Sequence, residues 1–370
     1  MNSSPALSPL TFVRSIAASP ANRIPFTYQY SYARGALITA IQSIKDAKGL
    51  SNYPRVWAPS FVCDTVFFLL DHYQIEYRFY PLDDNLLPDW PNLKHLNFHE
   101  NDIFLLVYFF GFPMGIPETL AFCRDKKIFL IEDCAHSVID KVVPGGIGTH
   151  GIGAIFGLRK IIPTPDGGFL YMKDIPISIP PNVSTSPGIY RSPLKMMAQW
   201  LLAKFNINLP ASRDLLDKST YQLFEENYSL FNFQAPLSYW GRKIWNTVSV
   251  DDIIRKRRNN YSIYYEILKD TKNITIPSTL MIQDEQTTPW VFFFFFRDAE
   301  WLINSLRQYD IFASDFPNLH PKVFGNKELN HGNLMYQHSV TLPVHQDLKE
   351  KDIRSIATKV KVLVENGSES

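Results

Sequence analysis

Apolar positions fall into alternating rhythms along the chain. Leu37, Ala40, Ile41 and Ile44 recur at helical spacing, which predicts a helix over 36–47. Arg55–Ala58 then reads as a short strand broken by Pro59, Phe61–His72 as a helix and Glu76–Tyr80 as a strand. Asp102–Phe109 is a near-continuous apolar run ending at Gly111-Phe112-Pro113, the pattern of a central strand covered on both faces. Pro117 opens a helix that runs to Lys126, and Ile128–Ile131 is the next strand. Strands that are apolar throughout, alternating with helices, predict an α/β fold with a mainly parallel central sheet covered by helices.

The rhythm breaks over 175–210, a stretch rich in Pro, Ser and Asn with an amphipathic helix expected at Leu194–Phe205. It resumes with a long helix at Asp251–Leu268, a strand at Trp290–Phe296, a helix at Ala299–Gln308, a short strand at Ile311-Phe312 and a last helix at Lys349–Glu365. The division expected is a large α/β domain over 1–235, of which 175–235 is an irregular connection, and a smaller α+β C-terminal domain over 236–370.

Composition narrows the function. The 370 residues are 45% hydrophobic and 20% charged, enough for a large core and unlike a disordered chain. With 37 basic and 36 acidic residues the net charge is +1, which gives no electrostatic case for nucleic acid or an acidic membrane. Val291–Phe296, the most apolar run, is too short to span a bilayer. The first twenty residues lack a signal-peptide pattern, and the three widely spaced cysteines, Cys63, Cys123 and Cys134, argue against a disulfide framework. A cytoplasmic protein acting on small molecules is the expectation.

Ligands of such sheets bind at the carboxyl ends of strands. Gly111 stands at one such end, and Asp133 and His136 at another. Lys160 follows the glycine-rich run Gly153-Ala154-Ile155-Phe156-Gly157 and precedes Asp166-Gly167-Gly168. Alone it would read as a loop lysine. After a buried strand and with an acid ending an earlier strand, it suits Schiff-base chemistry. Three rivals are weaker. Gly145-Gly146-Ile147-Gly148 lacks the Lys-Ser/Thr of a P-loop and reads as a turn. No Gly-x-Gly-x-x-Gly follows the first strand, as a nicotinamide enzyme would require. Cys134 with His136 has no second pair to complete a zinc site.

In order, Arg34-Gly35-Ala36-Leu37, Pro59-Ser60-Phe61, Tyr108 to Pro113, Glu132 to His136, Gly151-Ile152-Gly153 and Lys160 with Asp166-Gly167-Gly168 resemble the DegT/DnrJ/EryC1/StrS sugar aminotransferases, within the fold-type I pyridoxal phosphate enzymes. The likeness continues through Arg257-Arg258 with Tyr261 and Asp310-Ile311 with Phe316 to His320, and covers most of the chain. It implies a fold-type I sheet, pyridoxal 5'-phosphate held covalently by Lys160, and Asp133 paired with the pyridine nitrogen. It places His136 near the ring, and Gly35 and Ala36 at the phosphate, where a helix start offers free N–H groups. By the same likeness Cys63 stands where relatives stack an aromatic ring, Ile155 where many have a phosphate-binding serine, and Gly157 would offer a backbone approach. Asn232 and His320 would stand near the substrate. The activity implied is amino transfer from a donor such as glutamate to a keto-sugar, nucleotide-linked, by a homodimer. A degenerate or regulatory homologue is the alternative, set against the retained Lys160.

Overall fold

The computed structural model describes residues 5, 7–17, 26, 28–178, 234–324 and 326–367. Seven strands form one sheet: β1 (Tyr28–Tyr30), β2 (Val56–Pro59), β3 (Tyr77–Tyr80), β4 (Ile103–Val107), β5 (Phe129–Cys134), β6 (Gly153–Gly157) and β7 (Gly168–Met172). Their order is β1-β7-β6-β5-β4-β2-β3. β3, β2, β4, β5 and β6 run parallel, whereas β7 is antiparallel to both β6 and β1. This is the α/β sheet expected from the apolar runs. Every residue of β4 and β6 is buried, as a strand with both faces covered requires.

Helix Ala33–Ala47 packs on β1, β6 and β7, and helix Ile116–Lys126 packs on β5. The latter carries Pro117 near its start, as its sequence suggested. The helix expected over 61–72 is shorter, Thr65–His72. Residues Phe61–Asp64 are instead drawn into contact with the C-terminal part: Cys63 bridges Leu319, and the Asp64 N–H donates to Asn318 O. β5 extends to Cys134, past the expected end at Ile131, because Glu132 and Asp133 continue the pairing with β4 and β6.

Farther along, helix Val250–Leu268 packs against helix Glu350–Gly367, and β8 (Val291–Phe295) pairs antiparallel with β9 (Ser339–Pro343). The strand expected at Ile311-Phe312 does not form; the bridge to β9 is made by Ser314, opposite Thr341. The polyphenylalanine run is β8, and its Phe292, Phe293 and Phe294 are fully buried. Residues 234–245 lie with the large sheet, since Pro236 bridges Tyr30 and Ser238 bonds Asp166. The expected helix Leu194–Phe205 lies outside the described residues.

The stretch before β8 is seated against the end of β4. Thr288 N–H donates to Gly111 O and Trp290 N–H to Phe110 O. Gly111 has φ 89°, and a Cβ there would fall 2.0 Å from Thr288 O, so only glycine permits this approach. The contact brings Trp290 over the ends of the parallel strands.

Candidate active site

A cavity of about 360 Å³ opens at the carboxyl ends of β4, β5 and β6, with Val107, Asp133, His136, Gly157, Lys160 and Trp290 among its lining residues. That is where a sheet of this type holds ligands.

Lys160 ends the 3-10 turn Leu158–Lys160 that follows β6. Its Nζ lies 4.7 Å from the centroid of the Trp290 ring. Enclosure pushes its ammonium from 10.5 down to about 8; Arg34 and Arg159 add to this, while Asp133 and Cys63 oppose it. Asp133, near the end of β5, is buried, and its Oδ1 accepts the Ala135 N–H at 2.9 Å. Burial raises its carboxyl above the ordinary value, against the pull of the Ala135 N–H and of Lys160.

His136 is also buried, and its Nδ1 accepts the Phe110 N–H at 3.0 Å. That bond puts the imidazole proton on Nε2. Burial and the charge of Lys160 hold the ring well below its usual pKa, so it is neutral. Phe110 donates from a left-handed conformation, φ 56° and ψ 17°, which costs a bulky residue about 1–2 kcal/mol. Its ring lies 4.4 Å from that of Phe293, packing that holds the conformation. The His136 ring is 4.4 Å from Trp290 and 5.6 Å from Phe316.

Three supports escaped the sequence reading. Glu132, fully buried beside Asp133, gathers the turn before β6: Oε1 accepts the N–H groups of His150 (2.7 Å) and Gly151 (2.8 Å), and Oε2 accepts the Tyr108 hydroxyl (2.5 Å) and Gly148 N–H (3.0 Å). His150 Nδ1 is 3.2 Å from Oε2. Burial alone would raise this carboxyl, yet the His150, Gly151 and Tyr108 donors bring it below its usual value. Arg257, fully buried, donates to Pro289 O, Trp290 O, Lys160 O, Ile161 O and Gln346 Oε1. Burial lowers its guanidinium to about 9, with Asp347 opposing. It ties the backbone of Lys160 to that of Trp290. Trp290 read only as the first residue of a strand; its place over Lys160 arises from tertiary packing, which no local pattern encodes.

Other expected site residues are placed differently. Gly35 and Ala36 are buried, and their N–H groups are turned to Tyr32 O. The cavity wall at this helix start is formed instead by Ala33, Arg34 and Leu37. The motif located the right turn, but the helix starts at Ala33, so positions one turn-face earlier meet the cavity. Cys63 and Ile155 line the cavity, and the Cys63 thiol is within reach of Thr65 Oγ1 at 3.2 Å. Gly157 lines it too, but a Cβ there would lie 2.8 Å from Ala135 O, so its bareness serves strand packing. His320 does not reach the cavity. It sits among Phe67, Tyr77 and Phe79, with Nε2 3.3 Å from the Tyr77 hydroxyl, and burial lowers it to about 4. Asn232 lies outside the described residues. Among the described residues no cluster of His, Cys, Asp and Glu could hold a metal ion, and no helix is long and apolar enough to cross a membrane.

The profile of the DegT/DnrJ/EryC1/StrS aminotransferase family matches residues 99–361. A dTDP-4-dehydro-2,3,6-trideoxy-D-glucose 4-aminotransferase of Saccharopolyspora spinosa is 25% identical over 272 residues, 71% of this chain and 65% of that protein. The chain thus spans somewhat less than two-thirds of that curated relative. Solved structures share the fold. Aminotransferase TlmJ of Streptoalloteichus hindustanus superposes with a TM-score of 0.65 at 15% identity, covering 98% of this chain and 93% of that one. Spr1654 of Streptococcus pneumoniae, solved in a PLP form and a PMP form, gives 0.62 and 0.61 at 13% identity, over 99% of this chain and 93% and 94% of the two.

Proposed function

The chain belongs to the DegT/DnrJ/EryC1/StrS aminotransferase family, and from that premise we propose that it is a pyridoxal 5'-phosphate-dependent aminotransferase that moves an amine from an amino acid such as glutamate to a nucleotide-linked keto-sugar. The observation that carries this reading is the meeting of the Lys160 amine, lowered to about 8, and the Asp133 carboxylate in one cavity.

The residues fit the cofactor. The cavity offers an amine for its aldehyde, a buried carboxylate for its ring nitrogen and flat aromatic cover from Trp290. When bound, pyridoxal phosphate supplies an electron sink for the carbanion formed as a proton leaves the substrate carbon.

Lys160 brings a nucleophilic amine: with a pKa near 8, roughly a tenth of it is neutral at pH 7, against well under a thousandth at 10.5. The same Nζ then carries a proton to and from the substrate carbon. Asp133 would hold positive charge on the ring nitrogen, a cation that would reverse the upward push of burial on its carboxyl. His136, neutral and with its proton on Nε2, serves as a fixed hydrogen-bond donor toward the ring. Trp290 shields Nζ from water. Glu132 and Arg257 keep β5, β6 and the Lys160 turn in register.

A degenerate homologue would have no use for an amine kept in this enclosure, so the active reading is preferred. The assembly proposed is a homodimer, and the setting a reducing cytoplasm, in keeping with three free cysteines. The test is direct. Purified protein should take up pyridoxal phosphate with a visible absorption band, borohydride should fix it to Lys160 by mass, and kinetics with glutamate should be ping-pong. A protein that takes up no cofactor, or is labelled equally as Lys160→Ala, refutes the proposal.

A further inference from the structure

The helix start that meets the cavity offers neither serine nor threonine, and its one hydroxyl is the phenol of Tyr32. Its wall positions are Ala33, Arg34 and Leu37, and the facing strand contributes Ile155. Polar capacity at the cavity comes chiefly from two guanidiniums, one of them on this helix start. The guanidinium carbon of Arg34 lies 5.8 Å from the centroid of the Tyr32 ring, and that of Arg159 lies 5.6 Å from the same centroid. Two cations therefore flank one ring at the N-terminal end of a fifteen-residue helix, whose dipole adds further positive potential. Thr164 lines the same cavity, is 3% exposed, and its Oγ1 has no hydrogen-bond partner among the described residues. A buried hydroxyl in that state is open to an outside partner, a water or a ligand group.

Among the described residues, Asp64 acts on Arg34, Asp166 acts on Arg159, and Asp133 lines the same cavity. Asp166 is engaged with Ser238, whose N–H and hydroxyl it accepts at 2.8 and 2.7 Å. Like charges at one wall repel, and Arg159 weakens the hold of Arg34 on its own proton, which burial has already lowered to about 10. An anion seated between them relieves that repulsion.

We propose that Arg34, Arg159 and Thr164 form a clamp for the phosphate monoester of the cofactor, paired guanidiniums beside a single threonine hydroxyl. This rests on the pyridoxal phosphate reading above. Guanidiniums suit the task because they present several donors in a plane and remain charged at any working pH. A clamp of this type holds its anion mainly by charge, so its grip weakens as salt is added.

The experiment compares pyridoxal phosphate with pyridoxal, which has the aldehyde and no phosphate. Binding of each to the full chain is followed by the absorption band of the Lys160 adduct, in wild type, Arg34→Ala, Arg159→Ala and Thr164→Val. A charge-assisted hydrogen bond of about 1.5–3 kcal/mol corresponds to roughly a tenfold to hundredfold change in affinity. Each arginine variant should lose about that factor for pyridoxal phosphate beyond whatever it loses for pyridoxal, whose change reports the altered Lys160 amine alone. Arg159 is exposed, so its removal leaves folding intact and keeps the test decisive should Arg34→Ala misfold. Inorganic phosphate, followed by phosphorus NMR, provides an arm that needs no aldehyde chemistry. Wild type should bind it, and each arginine variant should bind it about tenfold to hundredfold more weakly. Equal losses for both aldehydes, or no change in the preference, overturn the clamp while leaving the aminotransferase reading standing. Phosphate binding that depends on the two arginines in a protein that forms no Lys160 adduct upholds the anion site and overturns the aminotransferase reading.

Discussion

Glu132→Gln is the sharpest perturbation of the scaffold, because it changes charge at constant shape. The glutamine oxygen can keep the place of Oε1 and both N–H bonds there, from His150 and Gly151. Its NH2 then faces the three partners of Oε2. The Tyr108 hydroxyl can turn to accept, and His150 can switch tautomer. Gly148 N–H can do neither and is left facing a donor. Converting two charge-assisted bonds to neutral ones costs about 1 kcal/mol each, and a buried unsatisfied N–H about 1–3. Relief of desolvation does not repay this, since the donors already outweigh burial in setting the Glu132 carboxyl below its usual value. A loss of roughly 3–5 kcal/mol in urea unfolding is expected near pH 7, at fixed protein concentration. The sign of the pH dependence follows from the depressed carboxyl: the stability it lends is complete above its unfolded value of 4.5 and fades as pH falls through its folded one. The gap between wild type and variant should therefore close in acid. His150, whose pKa is raised chiefly by Glu132, should fall back toward 6.5 by NMR. A deficit under about 1 kcal/mol, or one that stays constant below pH 4, would refute the reasoning.

Asp166 acts in the opposite sense: its folded carboxyl, raised by burial from 3.8 to about 6, gives a contribution to stability that is largest in acid and is lost as pH rises through 6. Asp166→Asn should thus match wild type near pH 4 and exceed it by up to roughly 2–3 kcal/mol at pH 8 in denaturant unfolding, a two-unit shift at 1.36 kcal/mol each; equal pH slopes would count against it. Trp290→Leu opens Lys160 to water, so the amine should titrate about one unit higher when its reductive methylation is followed against pH; an unchanged midpoint would show that the ring does not shield it. His320→Gln should leave pyridoxal phosphate affinity within about twofold while lowering the melting temperature through the disturbed Tyr77 and Phe67 packing; a large affinity loss would return it to the site.

What the sequence made legible was set by burial on both faces. β4 is apolar from end to end and could be read directly; β5 was cut short because Glu132 and Asp133, though buried, look like a strand's polar exit. β1 and β9 are short and mixed in character, and they exist through pairing with β7 and β8 across the chain. Lys160 and Asp133 were readable as a motif with a chemical reason. Gly35 and Ala36 were misplaced because a motif marks a turn of helix, while the rotation that decides which residue meets the cavity depends on where the helix begins. His320 followed family order into an aromatic cluster, and Arg257, which the sequence marked only as part of the family likeness, is fully buried.

That burial has an energetic reach. Arg257 is carried by a helix of the C-terminal half, yet it grips carbonyls at Lys160 and Ile161 and at Pro289 and Trp290. Opening of the helix Val250–Leu268 must release all of them, so amide hydrogen exchange along that helix should slow when the cavity is filled. By linkage, whatever loosens the helix must also weaken the grip on the ligand.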